Sequence, residues 1–72
     1  MNPYRELADA IIVQAARDYR SALWMLKRNP WNEDAEQMKR DVERFFHSRW
    51  YRSLTELDGD WLLQKLREEV KR

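Results

Sequence analysis

The sequence predicts an all-α fold, a small bundle in which a long N-terminal helix packs on two or three shorter helices. Apolar residues recur at alternating spacings of three and four, which is the period of an amphipathic helix. Capping residues (Asn, Ser and Asp) precede the apolar runs. The 72 residues include only one Gly and two Pro, so few positions interrupt a helix. We therefore expect one helical domain spanning residues 1–72.

The first helix is predicted over residues 3–28. Asn2 is a good N-cap, and Pro3 is tolerated at the first helical position because its missing N–H would have no partner there. The predicted buried stripe consists of Ala8, Ile12, Ala15, Tyr19, Ala22 and Leu26, widened by Leu7, Ile11 and Leu23. We expect its three alanines to let another helix approach closely.

A turn then leads into a second helix, predicted over residues 33–47. Pro30 disfavours the α conformation in the residue before it, so the first helix ends there. Asn32 is the preferred N-cap, and Asn29 followed by Pro30 is an alternative start. The apolar positions of this helix are Ala35, Met38, Val42 and Phe45.

The segment from Arg44 to Arg52 holds four of the nine aromatic residues and the only histidine. Ser48 is predicted to cap a short third helix over residues 49–57, because Ser and Thr side chains compete with the helical backbone. A single helix through residues 33–57 is the alternative, since no Gly or Pro interrupts this region. We expect a core of Phe45, Phe46, Trp50 and Tyr51, with a basic rim of Arg44, His47, Arg49 and Arg52.

The last helix is predicted over residues 59–71, with Asp58 as its cap. Its apolar face consists of Trp61, Leu62, Leu63, Leu66 and Val70. Asp58, Asp60 and Glu69 do not match a calcium loop, because leucines stand where a third oxygen ligand and the central glycine are required. No metal site is predicted.

Composition excludes several classes of protein. Fourteen Lys and Arg against thirteen Asp and Glu give a formal charge of +1, which is not the excess of a dedicated nucleic-acid-binding protein. The chain has no cysteine, so disulfides and thiolate metal sites are excluded. No apolar run reaches the roughly 20 residues of a membrane span, and the N-terminus lacks the order of a signal peptide. We expect a cytoplasmic protein.

The residues also lack a pattern typical of catalysis or cofactor binding. His47 is the only histidine, and no spacing pairs it with a serine and an orienting acid. No phosphate-binding loop is present. We therefore expect a non-enzymatic protein with no catalytic, cofactor-binding or metal-binding residues.

The first helix carries an outward stripe in which two apolar side chains alternate with three cations: Val13, Arg17, Arg20, Trp24 and Lys27. Trp and Arg are enriched at interface hot spots, which makes the stripe a candidate partner-binding surface. The alternative is that Trp24 folds over the edge of the core, covered by the arginine stems. The predicted partner-binding residues are Val13, Arg17, Arg20, Trp24, Trp31, Arg49 and Arg52.

Two stretches of the chain carry a resemblance to known proteins. They are the run A-I-I-V-Q-A at residues 10–15 with D-Y-R at 18–20, and F-F-H-S-R-W-Y at 45–51 with L-D-G at 57–59. About residues 8–69 resemble short proteins encoded by phages, prophages and conjugative elements of Gram-positive bacteria. The resemblance implies a mobile-element origin. By analogy, small phage proteins such as anti-CRISPR and other anti-defence inhibitors often act stoichiometrically, by occluding a functional surface of a host enzyme or by binding nucleic acid.

Three hypotheses about function follow. The first is an accessory protein that binds and modulates a host or phage protein through the exposed Arg and Trp residues. The second is a small nucleic-acid-binding regulator, because arginines beside aromatic rings are typical of single-strand binding. The third is a homodimer in which the alanine-lined helix pairs with its copy.

Overall fold

Four α-helices joined by short turns make up the chain in a computed structural model, which describes residues 2–71. They are α1 (Pro3–Arg28), α2 (Glu33–Phe46), α3 (Arg49–Leu54) and α4 (Gly59–Lys71). No strand occurs among these residues. The prediction of an all-α bundle with a long N-terminal helix is confirmed.

Side-chain caps define where the four helices begin. At the start of α4 the Asp58 carboxylate, the predicted cap, accepts the Asp60 N–H at 2.9 Å. The Asn2 side chain accepts hydrogen bonds from the backbone N–H groups of Tyr4 (3.0 Å) and Arg5 (3.4 Å). The Asn32 side chain accepts one from the Ala35 N–H, so α2 starts from Asn32 and not from the alternative Asn29. The Ser48 hydroxyl accepts the Tyr51 N–H at 3.1 Å and separates α3 from α2. The uninterrupted helix over residues 33–57 is therefore wrong.

The third helix ends three residues before the predicted boundary, at Leu54 and not at residue 57. Thr55 leaves the helix with extended backbone angles (φ −158°, ψ 157°), and its hydroxyl accepts the Leu57 N–H at 3.2 Å. This local hydrogen bond replaces the helical one and starts the turn toward α4. The end of α2 differs from the prediction by one residue, since His47 is its C-cap.

The core lies where α1, α2 and α4 meet, with Tyr51 of α3 closing it. Its buried side chains are Tyr19, Val42, Phe46, Tyr51, Leu63 and Leu66. Ala8 and Ala22 are also buried, at 2% and 0% exposure. Two alanines of the α1 stripe thus face the chain's own helices, while the third, Ala15, is only partly buried.

Two tryptophans predicted to be buried lie on the surface instead. Trp50 is 58% exposed and packs edge-on against Phe45, whose ring centroid is 5.2 Å away. Trp50 and Tyr51 are neighbours on a helix and point about 100° apart, and Tyr51 is the one that enters the core. Trp61 is likewise 51% exposed, while Leu63 points inward.

The first helix is also much longer than the helices on which it packs. Its 26 residues correspond to roughly 39 Å, against roughly 21 Å for the 14 residues of α2. Leu7, predicted to widen the buried stripe, is 61% exposed, whereas the neighbouring Ala8 is buried. Among the residues described, no helix has the length and apolar character needed to cross a membrane.

Candidate protein-binding surface

The outward side of α1 presents an exposed tryptophan among arginines. Residues three and four apart on a helix share a face, and this spacing brings Arg17, Arg20 and Trp24 onto one shallow depression. Val13, 48% exposed, lies on the same side one turn earlier. We call this depression the Trp24 face; it is lined by Arg17, Arg20, Ser21, Trp24, Met25 and Arg28.

The Trp24 side chain is partly exposed and partly covered by Lys27. It is 44% exposed, and the Lys27 ammonium lies 5.0 Å from the centre of its ring, a cation–π distance. The same ammonium donates a hydrogen bond to the backbone oxygen of Val70 at 2.9 Å. Lys27 therefore fixes the end of α4 to α1 and supports one side of the indole, while the rest of the ring remains open.

The arginines of the Trp24 face differ in whether they form an ion pair with a carboxylate. Arg20 donates from Nε to Glu69 Oε2 at 2.8 Å and, more weakly, from Nη2 to Glu69 Oε1 at 3.5 Å. Both side chains are about half exposed, so this ion pair contributes little to stability. Arg17 and Arg28 make no ion pair with any residue that the structure describes. No acidic residue lines the depression.

The remaining predicted partner-binding residues lie elsewhere. Trp31, in the turn between α1 and α2, is the most exposed large apolar side chain described, at 88%. Arg52 of α3 lines a cleft together with Arg5, near the start of α1. Trp24 is 19 residues further along α1 than Arg5, or roughly 29 Å. Arg52 is therefore not part of the Trp24 face, and Arg49 is not among the residues that line that face.

A network of three polar side chains, which the sequence did not reveal, joins α1, α2 and α4. The Tyr19 hydroxyl donates to Glu43 Oε2 at 2.7 Å and accepts from Arg67 Nε at 2.9 Å. Arg67 Nη2 also donates to Glu43 Oε2 at 3.0 Å, and the Lys39 ammonium lies 3.6 Å from the same oxygen. Each group of the triangle thus has two partners in the triangle itself. The sequence predicts that Tyr19 is buried, and a buried tyrosine hydroxyl needs a hydrogen-bond partner. That requirement is the one feature of the sequence that indicates such a network.

This environment changes the ionisation of the three groups. Burial, reinforced by the hydrogen bond to the Glu43 carboxylate, raises the pKa of Tyr19 to about 12. Burial also acts to raise the pKa of Glu43, but the hydrogen bonds donated by Tyr19 and Arg67 outweigh it and hold that pKa below its ordinary value. The hydrogen bonds to Tyr19 and Glu43 raise the pKa of Arg67. A neutral phenol, a carboxylate and a guanidinium are the stable forms, which makes this network structural.

A second polar contact joins the end of α2 to the start of α4. The His47 imidazole, next to the C-terminus of α2, forms a hydrogen bond with the Asp60 carboxylate through Nε2. Between these residues Gly59 packs so closely that an added Cβ would lie 2.3 Å from the Phe46 carbonyl oxygen. The side chains at this junction bond to one another, and the described residues contain no group of three or more His, Cys, Asp or Glu suited to a metal ion.

Comparisons with protein-family models, with curated proteins and with solved structures gave no match to this chain. The physical character of the exposed surfaces is therefore the basis for the functional proposal.

Proposed function

We propose that this chain is a non-enzymatic binding protein that attaches to an acidic surface of a host or phage protein through the Trp24 face. The observation that carries the proposal is an indole, 44% exposed, surrounded by three arginines in a depression without a carboxylate. Trp and Arg side chains dominate the energy of many protein interfaces. The indole supplies apolar area, and the arginines fix its orientation by hydrogen bonding to carboxylates.

The choice of an acidic partner rests on charge complementarity. Arg17 and Arg28 have guanidinium groups that no described carboxylate neutralises, whereas Arg20 is held by Glu69. A partner carboxylate would meet two uncommitted cations directly. It would compete with Glu69 for the third at small cost, because exposed ion pairs are weak.

The resemblance to phage, prophage and conjugative-element proteins supplies the setting of the proposal. In that setting the chain acts in the bacterial cytoplasm and occludes a functional surface of its partner. Anti-CRISPR proteins and other anti-defence inhibitors are the class of phage protein that acts in this way.

Binding of single-stranded nucleic acid is the second candidate, and the same cluster favours it. Guanidinium groups pair with phosphate, and an exposed indole offers a surface on which a base can stack. The formal charge of only +1, which is not the excess of a dedicated nucleic-acid-binding protein, argues for the protein partner as the first choice.

Affinity capture from a bacterial host lysate tests the proposal. We expect the wild-type chain to retain a protein that the double variant Arg17→Glu/Trp24→Ala, still folded by circular dichroism, does not retain. The matched control, Arg49→Glu/Trp31→Ala, removes the same two chemical groups from other exposed positions and should retain it. Nuclease treatment should not release the captured protein.

Two results would contradict this assignment. Equal capture by Arg17→Glu/Trp24→Ala and by the wild-type chain would exclude the Trp24 face. Capture that nuclease abolishes, with a gel shift that weakens steeply as salt rises, would favour the nucleic-acid candidate. Once the partner is identified, reversal of a carboxylate on its surface to Lys should restore binding of Arg17→Glu.

A further inference from the structure

A second open surface lies between α1 and α2, on a different side of α1 from the Trp24 face. We call it the α1–α2 hollow; it has a volume of about 380 Å³ and is lined by Ile11, Gln14, Ala15, Asp18, Asp41, Val42, Phe45 and Trp50. Its apolar walls come from both helices, with Trp50 packed edge-on against Phe45 at one end. The volume falls within the range of sites that receive apolar groups.

The polar rim of the hollow is acidic. Asp18 accepts a hydrogen bond from the Gln14 amide at 2.9 Å, and Asp41 accepts one from Gln37 at 2.9 Å. Because side-chain amides are neutral, these hydrogen bonds do not neutralise the charges of Asp18 and Asp41. The nearest cation to Asp41 is Arg44, whose Nη1 lies 3.8 Å away on a largely exposed side chain, and no cation lines the hollow.

The Trp24 face has the opposite charge. It offers a partly exposed indole and carries arginines, where the hollow has apolar walls and carries carboxylates. Trp24 is among the aromatic side chains that can fill such a recess, and Arg17 and Arg28 have no carboxylate partner within the described chain. The chain therefore carries two complementary surfaces that cannot meet within one molecule, since both include α1.

We propose that the Trp24 face of one copy binds the α1–α2 hollow of a second copy, with the indole in the recess and the arginines facing Asp18 and Asp41. The two surfaces are different patches, so the contact is head to tail, and each added copy leaves one face and one hollow open. This self-association differs from pairing of the alanine-lined stripe with its own copy, because the two patches in contact are different. It is also independent of the identity of any host or phage partner.

The contact is small by the standards of permanent dimers, because it rests on one indole and a few ion pairs near the surface. We expect a dissociation constant on the order of 10⁻⁴ M, well above that of obligate interfaces. We also expect it to weaken with added salt, since exposed charges are screened.

Sedimentation across protein concentration tests the inference. The wild-type chain should show a mass-average molecular weight that rises from about 10 µM to about 1 mM and falls again when salt is added. Arg17→Glu/Trp24→Ala disables the face, and Asp18→Lys/Asp41→Lys disables the hollow, so each variant alone should remain monomeric. Asp9→Lys/Glu56→Lys makes the same charge change outside both surfaces and should associate as the wild-type chain does.

Mixing the two disabled variants gives the decisive measurement. Arg17→Glu/Trp24→Ala retains an intact hollow, and Asp18→Lys/Asp41→Lys retains an intact Trp24 face. An equimolar mixture should therefore form one native contact per pair of chains and stop at a dimer. If the Lys substitutions unfold the chain, Asp18→Asn/Asp41→Asn removes the charges without reversing them and should weaken self-association at least tenfold.

Three outcomes would overturn the inference. They are a wild-type monomer at every concentration, undiminished association of a single disabled variant, and a mixture that stays monomeric. If the hollow binds some other protein and not a second copy, the wild-type chain will be monomeric at every concentration. Capture from lysate uses dilute protein, at which self-association is negligible, and it detects a different protein. The proposed function and the proposed self-association can therefore fail independently of each other.

Discussion

At the scale of single residues, the Tyr19 hydroxyl is the most connected polar group of the core. It contacts a carboxylate of α2 and a guanidinium of α4, and its own side chain is fully buried. Hydrogen bonds to charged partners contribute more than neutral ones, because the charge strengthens them in a region of low dielectric. The phenol therefore stabilises the junction of three helices.

We expect Tyr19→Phe to lower the free energy of unfolding by about 1.5 kcal/mol, measured by urea denaturation. The ring remains and only the hydroxyl is lost. Tyr4→Phe is the matched control, because its hydroxyl makes one long, exposed hydrogen bond of 3.5 Å to the Ser53 carbonyl, and its cost should stay below about 0.5 kcal/mol. Equal costs for the two variants would show that the buried network adds nothing.

The ionisation of Glu43 predicts how stability depends on acid. Its pKa is lower in the folded chain than the ordinary value of 4.5, so its contribution is present above pH 4.5 and is lost as pH falls through the folded value. Glu43→Gln should therefore show a shallower loss of stability below pH 4.5 than the wild-type chain in urea titrations at several pH values. Glu36→Gln changes a carboxylate that only pairs with Arg40 on the surface, and it should keep the wild-type slope.

This network lay beyond sequence reasoning because its members are far apart in the chain. Glu43 and Arg67 are separated from Tyr19 by 24 and 48 residues. Helical periodicity places Tyr19 in the core, but it does not indicate which side chain of another helix meets its hydroxyl. That partner depends on how the helices are rotated and offset against each other.

At the scale of helices, capping residues fixed most boundaries. Asn2, Asn32 and Ser48 each accept a backbone N–H, and each was identifiable because a short polar side chain stood before an apolar run. The end of α3 was less predictable. Thr55 leaves the helix and its hydroxyl accepts the Leu57 N–H, and the apolar periodicity does not indicate this hydrogen bond.

The junction of α2 and α4 depends on the absence of a side chain at residue 59. An alanine Cβ there would lie 2.3 Å from the Phe46 carbonyl oxygen and 3.3 Å from Tyr51 Cε1, so the helices would have to separate. We expect Gly59→Ala to destabilise the chain by about 1 to 3 kcal/mol, although alanine is the better helix former. Thermal denaturation measures the effect.

Gln64→Ala is the control for that substitution, because residue 64 is exposed on the same helix. Its melting temperature should be equal to or slightly above that of the wild-type chain. A Gly59→Ala variant that also melts at or above the wild-type temperature would mean that the two helices separate without cost.

At the scale of the whole molecule, one small core supports all four helices. A chain of 72 residues is stabilised by roughly 4 to 11 kcal/mol at typical values per residue. Leu63, 1% exposed, is among the most deeply buried side chains. Its contribution is therefore a large share of the total.

Leu63→Ala should lower the free energy of unfolding by about 2 to 5 kcal/mol. Far-ultraviolet circular dichroism and urea denaturation measure this loss. Leu57→Ala removes the same group from a side chain that is 55% exposed, and it should unfold at nearly the wild-type urea concentration. Comparable losses from the two substitutions would contradict the single-core description.

The fold class was predictable from the sequence because period, caps and scarcity of helix breakers all agreed. The choice of aromatic residues for the core was not, since a core of this size admits only some of nine aromatic rings. Tyr19, Phe46 and Tyr51 are buried, while Trp50 and Trp61 remain outside. Their placement is decided by the direction of each side chain on its helix, and this left the tryptophans available as surface groups.

The exposure of all four indole rings makes the protein an optical reporter of contact. Trp24, Trp31, Trp50 and Trp61 are 44%, 88%, 58% and 51% exposed in the folded chain. Denaturation changes the surroundings of these partly exposed rings less than it would change those of fully buried rings, whereas docking moves a ring into an apolar environment. Intrinsic fluorescence will therefore follow occupancy of a surface more sensitively than unfolding, and single Trp→Phe substitutions will assign the signal to one face of the molecule.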